Sequence, residues 1–275
     1  MSALRVAVVI PALNEALRIR EVVLGALEHS SDVIVIDDGS DDDTCAQLEG
    51  LPITLIQHPT RRGKGEGLRS GFREALKREV DGVLSMDGEG QHLASDIPRL
   101  LRAATCHPQH IVVGARLRKR AQQPWHRRLA NEFGDWGIAW ATGYRIADTQ
   151  SGQRYYPRSV CALADVAGEG FVFEADILIQ AARRLGTRAV SVPIESRYAG
   201  DGLAGQFRRS HFRPLHDLYR ITAHVVGRVW TYGHVVPRYI EARRHPPVIH
   251  DGGAAGATHD PAANDGATHE YTPGP

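Results

Sequence analysis

A chain of 275 residues with 42% hydrophobic and 24% charged side chains has the make-up of a globular protein, which excludes a fibrous or wholly disordered one. Its 33 basic and 32 acidic residues nearly balance, but His245 to Pro275 holds Asp251, Asp260, Asp265 and Glu270 and no Lys or Arg, so the rest carries a net +5. That mild excess suits anionic ligands and does not call for nucleic acid. Cys45, Cys106 and Cys161 lie far apart with no Cys-x-x-Cys pair, which argues against a disulfide framework or a cysteine-rich zinc site and for a reducing compartment.

In chain order, Leu4 to Ile10, Val33 to Ile36, Ile53 to Ile56, Val83 to Met86 and Ile111 to Val113 read as short apolar strands. Glu15 to Glu28, Gly65 to Arg78 and Asp96 to Ala104 read as the helices between them. Strands apolar throughout, not alternating, require a sheet covered on both faces, so the expected class is α/β with a mostly parallel, right-handed wound sheet. Ligands of such sheets sit beyond the strands' carboxyl ends, where Pro11, Asp38, Asp87 and Arg116 follow their strands.

Further on, a helix is expected over His126 to Ala141, a polar turn and strand over Asp148 to Tyr156, a helix over Val172 to Leu185 and a strand over Ala189 to Val192. Arg197 to Ser210 reads as a basic, glycine-containing loop. The spacing of Leu215, Leu218, Thr222, Val225, Val229, Tyr232 and Val236 gives one amphipathic helix flanked by Arg220, His224 and Arg228. That helix either packs on the domain or lies in a membrane interface with its basic side toward lipid phosphates. The N-terminus lacks the features of a secretory signal, and no stretch is apolar for long enough to span a bilayer. The tail repeats GATHD as GATHE and is poor in large apolar side chains, so disorder is expected there. The expected organisation is a domain over 1–212, an amphipathic segment over 213–245 and a tail over 246–275.

Three strand ends carry chemistry. In VLSMDGEGQH, Asp87, Glu89 and Gln91 around Gly88 make an all-oxygen cup suited to a hard cation, Mg²⁺ or Mn²⁺, which in turn suits a diphosphate. Isolated, Asp-Gly-Glu is more often a solvated turn, and the preceding apolar strand changes those odds. In VIVIDDGSDDDT, a carboxylate after Ile36 can accept from a nucleobase edge or a ribose hydroxyl, while Asp41 to Asp43 suit a helix start. In VVIPALNEA, Pro11, Leu13 and Glu15 leave the first strand, where a carboxylate can hold a nucleotide and an apolar side chain can lie on its base.

These stretches, in this order, resemble the family 2 glycosyltransferases of GT-A fold, and among them the dolichyl- and polyprenyl-phosphate sugar synthases. The likeness runs over about residues 4 to 220 through RRGKGEG, VVGAR, DTQSGQRYY, GFVFEADILI, VPIESRY and SHFRPLHDLYRI. The resemblance implies that Pro11, Leu13, Glu15, Ile36 and Asp38 contact the nucleotide. It likewise implies that Asp87, Gly88, Glu89 and Gln91 correspond to the Asp-x-Asp metal motif and the glutamine after it. Arg116 and Arg197 match diphosphate-binding arginines, and Arg127 and Asn131 fall where the family holds the lipid phosphate. The chain departs from the family pattern at Glu89, where an Asp is usual, and at His211, where a Lys is expected near the diphosphate. Lys64 could meet the donor or be solvated.

The activity so implied is inverting transfer of a hexose from a UDP- or GDP-linked sugar to a polyprenyl phosphate, by a cytoplasmic protein peripheral to the membrane's cytoplasmic face. A phosphate acceptor needs no general base. A lipid hydroxyl would need one, with Glu174 and Asp176 as candidates unless they serve as a cap or an arginine partner. The alternatives are transfer to such a hydroxyl, or a noncatalytic nucleotide- or lipid-binding relative. A dinucleotide-binding dehydrogenase is excluded because Pro11 to Glu15 contains no glycine. The same gap argues against a sugar nucleotidyltransferase.

Overall fold

The computed structural model describes residues 4–117, 125–168, 170–195, 214–233 and 235–250; for 125–131, 133, 171, 214–219 and 235 it describes the backbone alone. Strands β1 (Val6–Ala12), β2 (Val33–Asp37), β3 (Thr54–Gln57), β4 (Gly82–Ser85), β5 (Ile111–Ala115), β6 (Arg154–Pro157), β7 (Ala189–Pro193) and β8 (Val248–Ile249) form one eight-stranded sheet in the order β3-β2-β1-β4-β6-β5-β7-β8. The helices are α1 (Ile19–Leu27), α2 (Lys64–Leu76), α3 (Ile97–Cys106), α4 (Trp125–Thr142), α5 (Arg158–Cys161), α6 (Phe171–Leu185), α7 (Pro214–Tyr232) and α8 (Val235–Arg244). The class is therefore α/β, as the alternation of apolar strands and helices predicts.

Alternation along each strand explains why the strands are apolar throughout. Ala7, Val9, Ile34, Ile36, Val83 and Val113 enter one core beneath α2, α6 and α4, while Val8, Ile10, Val35, Leu84 and Val112 enter a second beneath α1 and α3. Each such side chain taken out of water contributes about 1.5–3 kcal/mol. β1 pairs in parallel with β2 and β4, and β5 with β7. β6 runs antiparallel between β4 and β5, which brings the loop before it to the carboxyl end of β4.

Two features differ from the sequence expectation. The stripe read as one helix through Val236 breaks at Gly233, whose φ of +65° suits glycine, giving α7 and α8. Val248–Ile249, read as the beginning of the tail, adds an edge strand to β7, and 251–275 lie outside the described residues. α7 buries Ile221, Val225 and Val229, while His224 and Arg228 turn inward to Asp176. These two basic groups therefore do not face lipid. Among the described side chains of this region, Val226 and Trp230 on α7 (Trp230 is 70% exposed), Val236 and Ile240 on α8, and Trp136 on α4 are apolar and exposed.

Candidate active site

The ends of β1, β2 and β4 and the first turn of α2 converge, and the packing is close enough to need glycine at specific points. A Cβ at Gly65 would lie 2.8 Å from the Gly170 nitrogen and 2.9 Å from the Phe173 Cβ, so α2 can approach α6 only without a side chain there. A Cβ at Gly152 would lie 2.3 Å from Asp87 Oδ2, so the 149–153 loop lies directly on that carboxylate. Buried Arg154 holds this loop by donating to the carbonyls of Thr149 and Ser151, both at 2.7 Å, and reaches the Glu174 carbonyl at 3.2 Å.

Asp87 follows β4. Its Oδ1 lies 2.7 Å from Lys64 Nζ, and the same ammonium is 3.2 Å from Glu174 Oε1. Burial pushes the Asp87 carboxyl upward, but Lys64, His92 and Arg116 outweigh that and hold it at about 2. Glu89 is pushed up to about 7 by burial and by the Asp87 charge, which Lys64 and Arg116 only partly offset. Two carboxylates that resist ionising together are a donor set suited to a divalent cation, and Gln91 follows on the same loop. Among the described residues no three His, Cys, Asp or Glu side chains are already gathered as ligands; Lys64 lies against Asp87 instead.

Arg116 follows β5 and is gripped by Asp148, Nε to Oδ2 at 2.8 Å and Nη2 to Oδ1 at 3.0 Å. Burial raises the Asp148 carboxyl, and the Arg116 guanidinium more than offsets this to hold it low. Arg116 and Asp87 are held against the same 148–153 loop, Arg116 by Asp148 and Asp87 by its close approach to Gly152, which places both on one side of the strand ends. Asp38 reaches the same place through backbone. Only 3% exposed, it accepts from the Arg62 nitrogen at 2.9 Å and the Gly63 nitrogen at 2.7 Å, which fixes the turn that presents Lys64. His58 Nδ1 lies 2.9 Å from its Oδ1.

Other expected residues have different surroundings. Ile36 is 0% exposed and its side chain belongs to the core, leaving its backbone, paired with Pro11, at the strand end. Pro11, Leu13 and Glu15 are partly exposed there, with the Glu15 nitrogen donating to Thr44 Oγ1 at 2.8 Å. Asp42 accepts from the Ala16 nitrogen at 3.3 Å and the Thr44 nitrogen at 2.9 Å, stitching the same turn. Gly88 is buried, its Cα turned toward the Pro11 carbonyl. Glu174 faces Lys64, whereas Asp176 is wholly buried and takes the Arg228 fork at 2.8 and 2.9 Å plus His224 at 2.8 Å. Arg127 and Asn131 sit on α4 with their side chains outside the described residues, as are Arg197 and His211 entirely.

Sequence reasoning singled out neither Asp148 nor His92, although the stretches quoted contain both. His92 Nδ1 lies 3.6 Å from Asp87 Oδ2, and neither ring nitrogen has a hydrogen-bond partner in its buried surroundings. A histidine closing an acidic strand-end motif was the available signal.

The model of a family described as Glycosyl transferase family 2 matches residues 7–161. The undecaprenyl-phosphate mannosyltransferase of Micrococcus luteus is 30% identical over 225 residues, covering 74% of this chain and 90% of that one. The polyprenol monophosphomannose synthase of Mycolicibacterium smegmatis is 26% identical over 205 residues, covering 69% and 76%. Among solved structures, glucosyl-3-phosphoglycerate synthase from Mycobacterium tuberculosis in complex with Mg²⁺ and UDP superposes with a TM-score of 0.57 at 21% identity, covering 83% of this chain and 79% of that one; this likeness bears on the fold. The crevice formed by β1, β2, β4 and β5 thus belongs to a member of glycosyltransferase family 2.

Proposed function

We propose that the chain moves a hexose from a nucleotide diphosphate sugar to a polyprenyl phosphate with inversion at the anomeric carbon. The observation that carries this is that Asp87 and Arg116, at the ends of β4 and β5, both lie against the 148–153 loop, in a chain 30% identical to an undecaprenyl-phosphate mannosyltransferase over most of both lengths. In this reading Asp87, Glu89 and Gln91 hold Mg²⁺ or Mn²⁺, which when bound supplies positive charge against the departing diphosphate. Arg116, oriented by Asp148, adds a fixed planar cation beside it, and Arg197 and His211 complete the diphosphate site. Pro11, Leu13, Glu15 and the Asp38 turn receive the nucleoside. Arg127 and Asn131 on α4 meet the acceptor phosphate, which is already anionic and attacks without a general base.

The acceptor's lipid requires a surface. No helix among the described residues is long and apolar enough to cross a membrane. The proposal is peripheral contact at the cytoplasmic face through the exposed Trp136, Trp230, Val236 and Ile240. Aromatic side chains favour the headgroup level, and the α7–α8 segment carries more Arg than acidic residues.

The test pairs UDP- and GDP-sugars with a short polyprenyl phosphate and, separately, with a hydroxylated lipid, with Mn²⁺ present. A lipid-linked sugar from the phosphate alone is expected. Product from the hydroxyl lipid alone would replace the acceptor class and bring Glu174 forward as base. For the surface, sedimentation with anionic vesicles should fall on Trp230→Ser while transfer to a short soluble acceptor persists; unchanged sedimentation would remove α7 from the contact.

A further inference from the structure

Lys64 is the first residue of α2, where the helix dipole disfavours a cation. Its ammonium is nevertheless kept in the site between Asp87 at 2.7 Å and Glu174 at 3.2 Å, with the Lys64 side chain 25% exposed. The turn behind it is fixed by the two backbone bonds from Arg62 and Gly63 to Asp38, so only the flexible four-carbon stem is left to move. One ammonium is thus shared between two carboxylates, and a divalent ion at Asp87 would attract that carboxylate more strongly than a single positive charge does.

Resting on the metal reading above, we propose that Lys64 is a resident counter-ion on Asp87 which yields that carboxylate when the metal arrives and carries its ammonium to the donor diphosphate. Lys64 and the metal would compete for the Asp87 carboxylate. The diphosphate relieves the competition by giving the displaced ammonium a new partner. Metal alone therefore binds weakly, and metal and nucleotide diphosphate each strengthen the other's binding by the same factor.

Mn²⁺ binding to the full chain, read by electron paramagnetic resonance with and without UDP, tests this. In the wild type UDP should raise Mn²⁺ affinity by about tenfold or more. Lys64→Met should bind Mn²⁺ alone more tightly than the wild type and gain much less from UDP. Equal or weaker binding of Mn²⁺ alone by a folded Lys64→Met overturns the proposal. A second measurement needs no variant: acylation of Lys64 by an amine reagent, followed by mass spectrometry. It should be slow in the free protein, faster with saturating Mn²⁺ and slow again with Mn²⁺ and UDP. Reactivity indifferent to Mn²⁺ also overturns the proposal. If the wild type binds no Mn²⁺ even with UDP, the metal reading itself has failed, an outcome distinct from either of these.

Discussion

Glu174 and Asp176 stand two residues apart on α6, and their surroundings differ in kind. Asp176 has a complete set of partners, the Arg228 fork and His224, at no exposure. Burial raises its carboxyl, and the hydrogen bonds from His224 and Arg228 more than offset this and hold it low. Glu174 shares one ammonium with Asp87 beside a Glu89 that resists ionising. A satisfied cluster locks α7 onto α6, whereas an under-neutralised one has a reason to accept another cation. Buried charge by itself does not mark a site; incomplete compensation does.

The sharpest way to break that contrast is Asp176→Ala. It leaves Arg228 and His224 without their carboxylate and should cost about 3–5 kcal/mol of stability in denaturant unfolding, while turnover per folded molecule falls less than tenfold. A general base would show the reverse pattern. Asp148→Asn is expected to have a smaller effect on folding and a selective one on catalysis. With the Arg116 fork weakened, turnover should drop by about 10–100-fold, read as kcat and the donor KM measured separately.

The gentlest probe is pH. Glu89 carries a raised pKa, so its contribution to the metal-free protein is present below pH about 4.5 and lost as pH rises through about 7. A ligating carboxylate must be ionised, so Mn²⁺ affinity should climb up to pH about 7 and then level, with proton release on binding below that point. Affinity flat between pH 5 and 8, or Glu89→Gln with an unchanged profile, would remove Glu89 from the ligand set.

Much of the fold could be read from the sequence because burial on both faces makes β1, β2, β4 and β5 apolar up to the polar Asp37 and Ser85 that close β2 and β4, and loops punctuate them. The direction of β6 could not, since nothing in RYYP distinguishes one sense from the other and only its partners, β4 and β5, decide. The break at Gly233 was masked by an apolar spacing that continues through Val236. At the site, the strand-end acids announced themselves by following buried strands. Their partners did not, because Lys64 lies far along the chain from Asp87, as does Asp148 from Arg116, and no local pattern encodes such pairings. The divergence of Glu174 from Asp176 was within reach, since two residues on a helix point about 200° apart.

Asp87 is the residue on which the proposed chemistry turns, and the most direct measurement is sugar transfer to a polyprenyl phosphate by wild type and Asp87→Asn side by side, with Mn²⁺ and a donor the wild type uses. A loss of about 10²–10³-fold in turnover with an unchanged melting temperature is the expected result. Equal turnover by the two proteins would contradict it.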